Sequence, residues 1–85
     1  MAEGPAPISL EQAVKAALDR AQAFQHLMPS LNIRLEEFEY NDEHPAWLIT
    51  LSFGDLGVLG APRSYKVFDI DPANGHVRSM KIREL

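Results

Sequence analysis

The chain has 85 residues, no cysteine and a formal net charge of −4 at pH 7. That length predicts one domain with a single thin core, burying roughly 60–65% of the unfolded chain's surface at a net stability on the order of 4–13 kcal/mol. The composition excludes disulfides, thiolate metal sites and a cysteine nucleophile. The acidic balance argues against nucleic acid as a partner, because phosphate neutralisation is the main source of such affinity.

Residues 1–7, with Gly4, Pro5 and Pro7, read as a frayed arm. They lack a basic start and an apolar run, and no later stretch approaches the ~20 apolar residues of a membrane span. The expectation is a cytoplasmic protein without membrane contact, its single domain occupying residues 8–85. Ser9 with Gln12 three positions on is a capping box that supplies acceptors for two amides at a helix start. Leu10, Ala13, Val14, Ala17, Leu18, Ala21, Phe24 and Met28 recur at helical spacing and form one stripe. Pro29 ends the helix near Leu27, since a proline pushes the preceding residue out of helical geometry. The many alanines predict a helix lying close against what it covers.

Ile33 to Tyr40 reads as a first strand whose alternation slips: Ile33 and Leu35 share one face, Phe38 and Tyr40 the other. A bulge at Glu36-Glu37 brings all four to the same side. Asn41 to Pro45 is turn chemistry. Trp47 to Phe53 alternates cleanly, with Trp47, Ile49, Leu51 and Phe53 forming a floor for the helix. Gly54 to Arg63 reads as a long hairpin loop. Its Leu56 and Leu59 are otherwise exposed, and so are candidate partner contacts. The loop is not a phosphate cradle, because Gly60 is followed by Ala61-Pro62-Arg63 and not by Lys-Ser or Lys-Thr at a helix start.

Tyr65 to Ile70 and His76 to Ile82 read as a closing hairpin. Pro72 presets a type I turn, Asp71 hydrogen-bonds forward to the backbone, and Gly75 takes the left-handed position. The predicted fold is α+β, with one N-terminal helix packed on a four-stranded antiparallel meander, since short connections pair strands in sequence order. Phe68 and Ile70 compete with Tyr65 and Val67 for the inner side of the sheet. With the former inside, Leu48, Tyr65, Val67 and Val77 lie on the outer face, and together they form an interaction surface if they are contiguous.

For chemistry the residues offer little. His26, His44 and His76 have neither the i, i+4 nor the His-x-His spacing that presents two imidazoles to one metal. Glu36, Glu37 and Glu39 lie on a strand of a thin sheet, which provides no cleft where one carboxyl is desolvated beside an exposed one. No serine sits in a Gly-x-Ser-x-Gly elbow. The expectation is therefore no enzyme, no cofactor and no metal. Charge is the more informative signal. Before Ala46 eight acids face three bases (net −5), and from Ala46 onward five bases face four acids (net +1). In a meander the acidic first strand (Glu36, Glu37, Glu39) and the basic last strand (Arg78, Lys81, Arg83) are opposite edges. Edges of opposite sign favour a partner protein with a strongly charged face, or head-to-tail self-association as in a homodimer.

Two patches resemble the PepSY domain family. One is the helix opening Ile8-Ser9-Leu10-Glu11-Gln12-Ala13-Val14-Lys15-Ala16-Ala17, in which a Ser precedes a Glu-x-Ala-x-x-x-Ala pattern. The other is the hairpin Tyr65-Lys66-Val67 through Asp69 or Asp71 to Gly75-His76-Val77. The resemblance implies a non-enzymatic protein-binding domain that inhibits or chaperones a hydrolase, and it carries over no catalytic residue. Family members are mostly extracytoplasmic, in metallopeptidase propeptides or attached to membranes. An antitoxin or immunity-type inhibitor of a basic-surfaced enzyme is the alternative, because such proteins are small, acidic and free of cofactors.

Overall fold

A computed structural model describes residues 7–55, 57, 60 and 62–83. The capping box forms as read: Ser9 Oγ accepts from the Gln12 amide (3.1 Å), and Gln12 Oε1 accepts from the Ser9 amide (2.8 Å). Helix α1 runs from there over Leu10–Leu27. In its last turn the Gln25 side chain donates to the Leu31 carbonyl (2.9 Å), which ties the helix end to the first strand.

Strands β1 (Leu31–Asn41), β2 (Ala46–Asp55), β3 (Ser64–Ile70) and β4 (Val77–Ile82) make one antiparallel sheet in the order β1-β2-β3-β4. This is the predicted meander, and β1 and β4 are its edges. The register between β1 and β2 shifts between Leu35 and Glu37, leaving Glu36 as the extra residue. Ile33, Leu35, Phe38 and Tyr40 thereby all face the helix side, opposite Phe53, Leu51, Ile49 and Trp47.

The three alanines Ala13, Ala17 and Ala21 have no exposed surface. With no side chain beyond Cβ they let the helix backbone settle onto Ile49, Leu51, Phe53, Phe68 and Ile70, the buried floor of the sheet. Phe68 and Ile70 therefore win the inner side of β3, and Tyr65 and Val67 point outward. Phe24 closes one end of the core edge-on against Phe53, with ring centroids 6.4 Å apart.

The other end is held by hydrogen bonds between segments far apart in sequence. Trp47 Nε1 donates to the Ile8 carbonyl (2.9 Å), and the Ile8 amide donates to the Pro72 carbonyl (2.8 Å). Tyr40 stands edge-on to Trp47 at 5.1 Å between centroids. The β3–β4 turn follows its chemistry. Asp71 Oδ1 accepts from the Ala73 amide (2.9 Å), its carbonyl accepts from Gly75 (2.7 Å), and Gly75 has φ +79°.

One prediction of the sequence fails in β4. The register shifts where Asp69 pairs Ser79 while Ile70 pairs Val77, so Arg78 is an extra residue. That bulge reverses the side of everything before it. Val77, expected on the outer face, packs against the core under the helix.

The alanine contact gives a direct test. Ala17→Leu has no space to occupy without lifting the helix, and overpacking of this kind costs about 1–3 kcal/mol. Urea unfolding should show a lower midpoint by that amount, whereas Ala23→Leu, at an exposed position of the same helix, should leave the midpoint nearly unchanged.

Candidate interaction surface

Once the helix is placed, the sheet presents an outer face and a helix-side margin. On the outer face Leu48, Val67 and Tyr65 are half-buried. Leu48 pairs Asp69 and Val67 pairs Thr50, so Leu48 and Val67 are diagonal neighbours. Tyr65 lies two residues before Val67 on the same face. Three of the four residues expected on this face thus form one short diagonal row. Lys81, opposite Val67, flanks it and is exposed. Leu56 and Leu59 lie outside the described residues.

Arg78 has a structural occupation. Its Nη2 donates to Asp69 Oδ1 (2.7 Å) and to the Pro45 carbonyl (2.9 Å), tying the β4 bulge to β3 and to the β1–β2 turn. The hydrogen bond and the charge of Asp69 push its pKa above the ordinary arginine value. The opposed charges of the two edges are likewise partly satisfied within the chain. Arg83, just beyond β4, reaches across the outer face to Glu37 on β1 and to Thr50 Oγ1 (3.1 Å) on β2. Its hydrogen bond to Glu37 raises its pKa, with a smaller contribution from the charge of Glu39. Lys81, Glu39, Asp42 and Glu43 make no salt bridge among the described residues. Of these four, the three carboxylates lie on β1 and its adjoining turn.

Sequence reasoning passed over Arg63. Its guanidinium lies across Gly54, donating to Ser52 Oγ (2.8 Å), the Ser52 carbonyl (3.1 Å), Asn32 Oδ1 (3.1 Å) and the Asn32 carbonyl (3.0 Å). Ser52 Oγ in turn donates to Glu36 Oε2 (2.6 Å), which fixes the side chain at the β1 bulge. A Cβ on Gly54 would collide with Arg63 Nη1 and sit 3.1 Å from Cζ. Glycine inside a strand marks a close approach of another group, but the sequence reading ends the strand at Phe53 and so places Gly54 in the loop. The expected loop is thus narrower than read: β2 extends through Gly54 and Asp55, and Arg63 is an anchor.

The helix-side margin carries the surface the sequence did not single out. Leu35 (44% exposed) and Phe38 (51%) on β1, and Ile82 (75%) on β4, lie on the helix side of the sheet and remain uncovered. The cause is width. A helix is about 10 Å across and strands are spaced about 4.8 Å apart, so one helix cannot roof four strands. A groove of about 570 Å³ beside α1 is floored by Leu10, Val14, Leu18 and Leu35. A cleft of about 360 Å³ at the helix C-terminal end is lined by Phe24, Met28, Phe53 and Met80. Both are open to solvent. Among the described residues no group of three or more His, Asp or Glu side chains gathers as a metal site, and no described helix is long and apolar enough to cross a membrane.

The family described as peptidase propeptide and YPEB domain (PepSY) matches residues 7–81, nearly the whole chain, and the chain belongs to it. Domains of this family are generally non-catalytic modules of propeptide or inhibitor type. No curated protein and no solved structure matches the chain.

Two measurements check this geometry. Gly54→Ala should destabilise the domain by about 1–3 kcal/mol by displacing the Arg63 bonds. In an Arg63→Ala background the same change should be nearly neutral, because the two act through one contact and Gly54 is not among the positive-φ positions. The second concerns Asp55, whose Oδ1 accepts from Ser30 Oγ (2.7 Å) and the Gly57 amide (2.8 Å). The Ser30 bond, then the Gly57 bond, hold its carboxyl below the ordinary 3.8. A depressed carboxylate stabilises the fold above its unfolded pKa and loses that contribution as pH falls through the folded value. Unfolding followed from pH 6 to about pH 2 should show a shallower acid loss in Asp55→Asn than in the parent.

Proposed function

We propose that this domain is a non-enzymatic protein-binding module that modulates, and in the simplest case inhibits, a partner protein. The observation that carries the reading is the set of large apolar side chains left in solvent on a thin domain: Leu27, Met28, Leu35, Phe38 and Ile82. These side chains lie on the two opposite edges of the sheet and at the helix C-terminal end, and exposed apolar surface of this kind is what a protein partner covers. Membership in a family of propeptide and inhibitor-type modules supports the same reading. The acidic first half favours a partner with a basic surface. That agrees with an inhibitor covering a cationic active site, whether the target is a hydrolase or the enzyme of an immunity pair.

The test is chemical cross-linking of the tagged domain in its native host, identification of the attached protein, and assay of that protein purified with and without the domain. A stoichiometric complex whose partner changes activity at least about tenfold, equivalent to about 1.4 kcal/mol, is the expected result. Absence of any saturable protein complex, or turnover by the isolated domain, refutes the reading.

A further inference from the structure

We infer that the free edge of β1 is a docking strand for an extended segment of the partner, one whose side chains alternate apolar and basic. This rests on the protein-binding reading and specifies its chemistry. β1 is an edge of the sheet among the described residues, and at 11 residues it is the longest of its strands. One side of its backbone therefore has amides and carbonyls without ladder partners, and an added strand satisfies them.

The two faces of that edge state what the added strand must carry. On the helix side stand the half-exposed Leu35, which lines the groove with Leu10, Val14 and Leu18, and Phe38, the next helix-side residue after the bulge. On the opposite side, beyond the bulge, β1 presents Glu39, with Asp42 and Glu43 in the adjoining turn, while Glu37 is already held by Arg83 and the base Arg34 lies before the bulge. Glu39 makes no salt bridge among the described residues. A strand beside β1 projects alternate side chains to these two faces. Apolar residues then remove Leu35 and Phe38 from water, while basic ones lie opposite the carboxylates.

Charge also decides against a second copy as the occupant. Two β1 edges placed together bring glutamates against glutamates, which is destabilising. The β4 edge of another copy is basic, but its Arg78 is held by Asp69 and the neighbouring Arg83 by Glu37, leaving Lys81 as its cation outside any described salt bridge. A β4-to-β1 contact would also repeat head to tail without closing. The carboxylates thus exclude the chain's own edge and admit a cationic one. The bulge at Glu36 limits the pairing segment to the half that follows, Glu37 to Asn41.

The experiment uses the whole chain, isotope-labelled, titrated with a capped seven-residue peptide alternating valine and lysine and followed by NMR. Amides of residues 37–41 and the side-chain signals of Leu35 and Phe38 should move in a saturable, salt-weakened manner. Glu39→Lys and Phe38→Ser, both at exposed positions and checked for an unchanged fold by their amide spectra, should each weaken binding about tenfold. A peptide with glutamate in place of lysine should not bind. Shifts confined to the Leu48, Val67 and Tyr65 row, or to β4, overturn the assignment. So does concentration-dependent self-association without peptide that is abolished by Lys81→Glu, which makes the occupant a second copy. In the native-host cross-linking, a Phe38→Ser, Glu39→Lys double variant that still captures the parent's partner refutes the docking strand and leaves the protein-binding reading standing. Absence of a partner for the parent refutes that broader reading.

Discussion

The close seating of α1 on the sheet is the constraint from which the rest of this structure follows. Ala13, Ala17 and Ala21 are fully buried, and each contributes only a methyl group, so the helix backbone approaches the sheet as nearly as side chains permit. The apolar bulk of the core is supplied from the sheet, by Ile49, Leu51, Phe53, Phe68 and Ile70. That division of labour makes the domain thin. It removes the depth an enclosed site requires, and it sets the long apolar residues of the edges beyond the helix's reach.

Both edges of the sheet carry a bulge, and each extra residue is charged and occupied. Glu36 accepts from Ser52, which Arg63 also holds, while Arg78 binds Asp69 and the Pro45 carbonyl. Bulges and charges at edges are the usual guards against strand-to-strand aggregation. Here they have a second consequence, because each reverses the side on which neighbouring residues fall. One brings Phe38 and Tyr40 to the helix side, and the other brings Val77 beneath the helix. The faces that could meet a partner are therefore set by two irregularities as much as by the alternation of the strands.

Polar contacts between distant parts of the sequence complete the architecture at little area. The Trp47 indole holds the chain before the helix, and that chain holds the last turn. Arg83 closes the outer face from β4 back to β1. No buried side-chain nitrogen or oxygen among the described residues lacks a partner. In a domain with so small a core this matters, since one unsatisfied buried group costs a noticeable part of the net stability.

The sequence by itself determined the elements and their order. The Ser9–Gln12 box, the alanine-bearing stripe, the alternation from Trp47 to Phe53 and the Asp71–Gly75 turn are local signals, each read from residues a few positions apart. The β1 bulge was legible for the same reason, as a slip in alternation within one strand. Tertiary structure decided what depends on pairing across the chain. The β4 strand carries a similar slip between Val77 and Met80, but with a single apolar residue before it the slip did not say which side Val77 takes until pairing with β3 fixed the register. The seat of Arg63 over Gly54 joins residues brought together only by the sheet. The exposure of Leu35 and Phe38 follows from the width of one helix over four strands, a property of the assembled layers that no single segment carries.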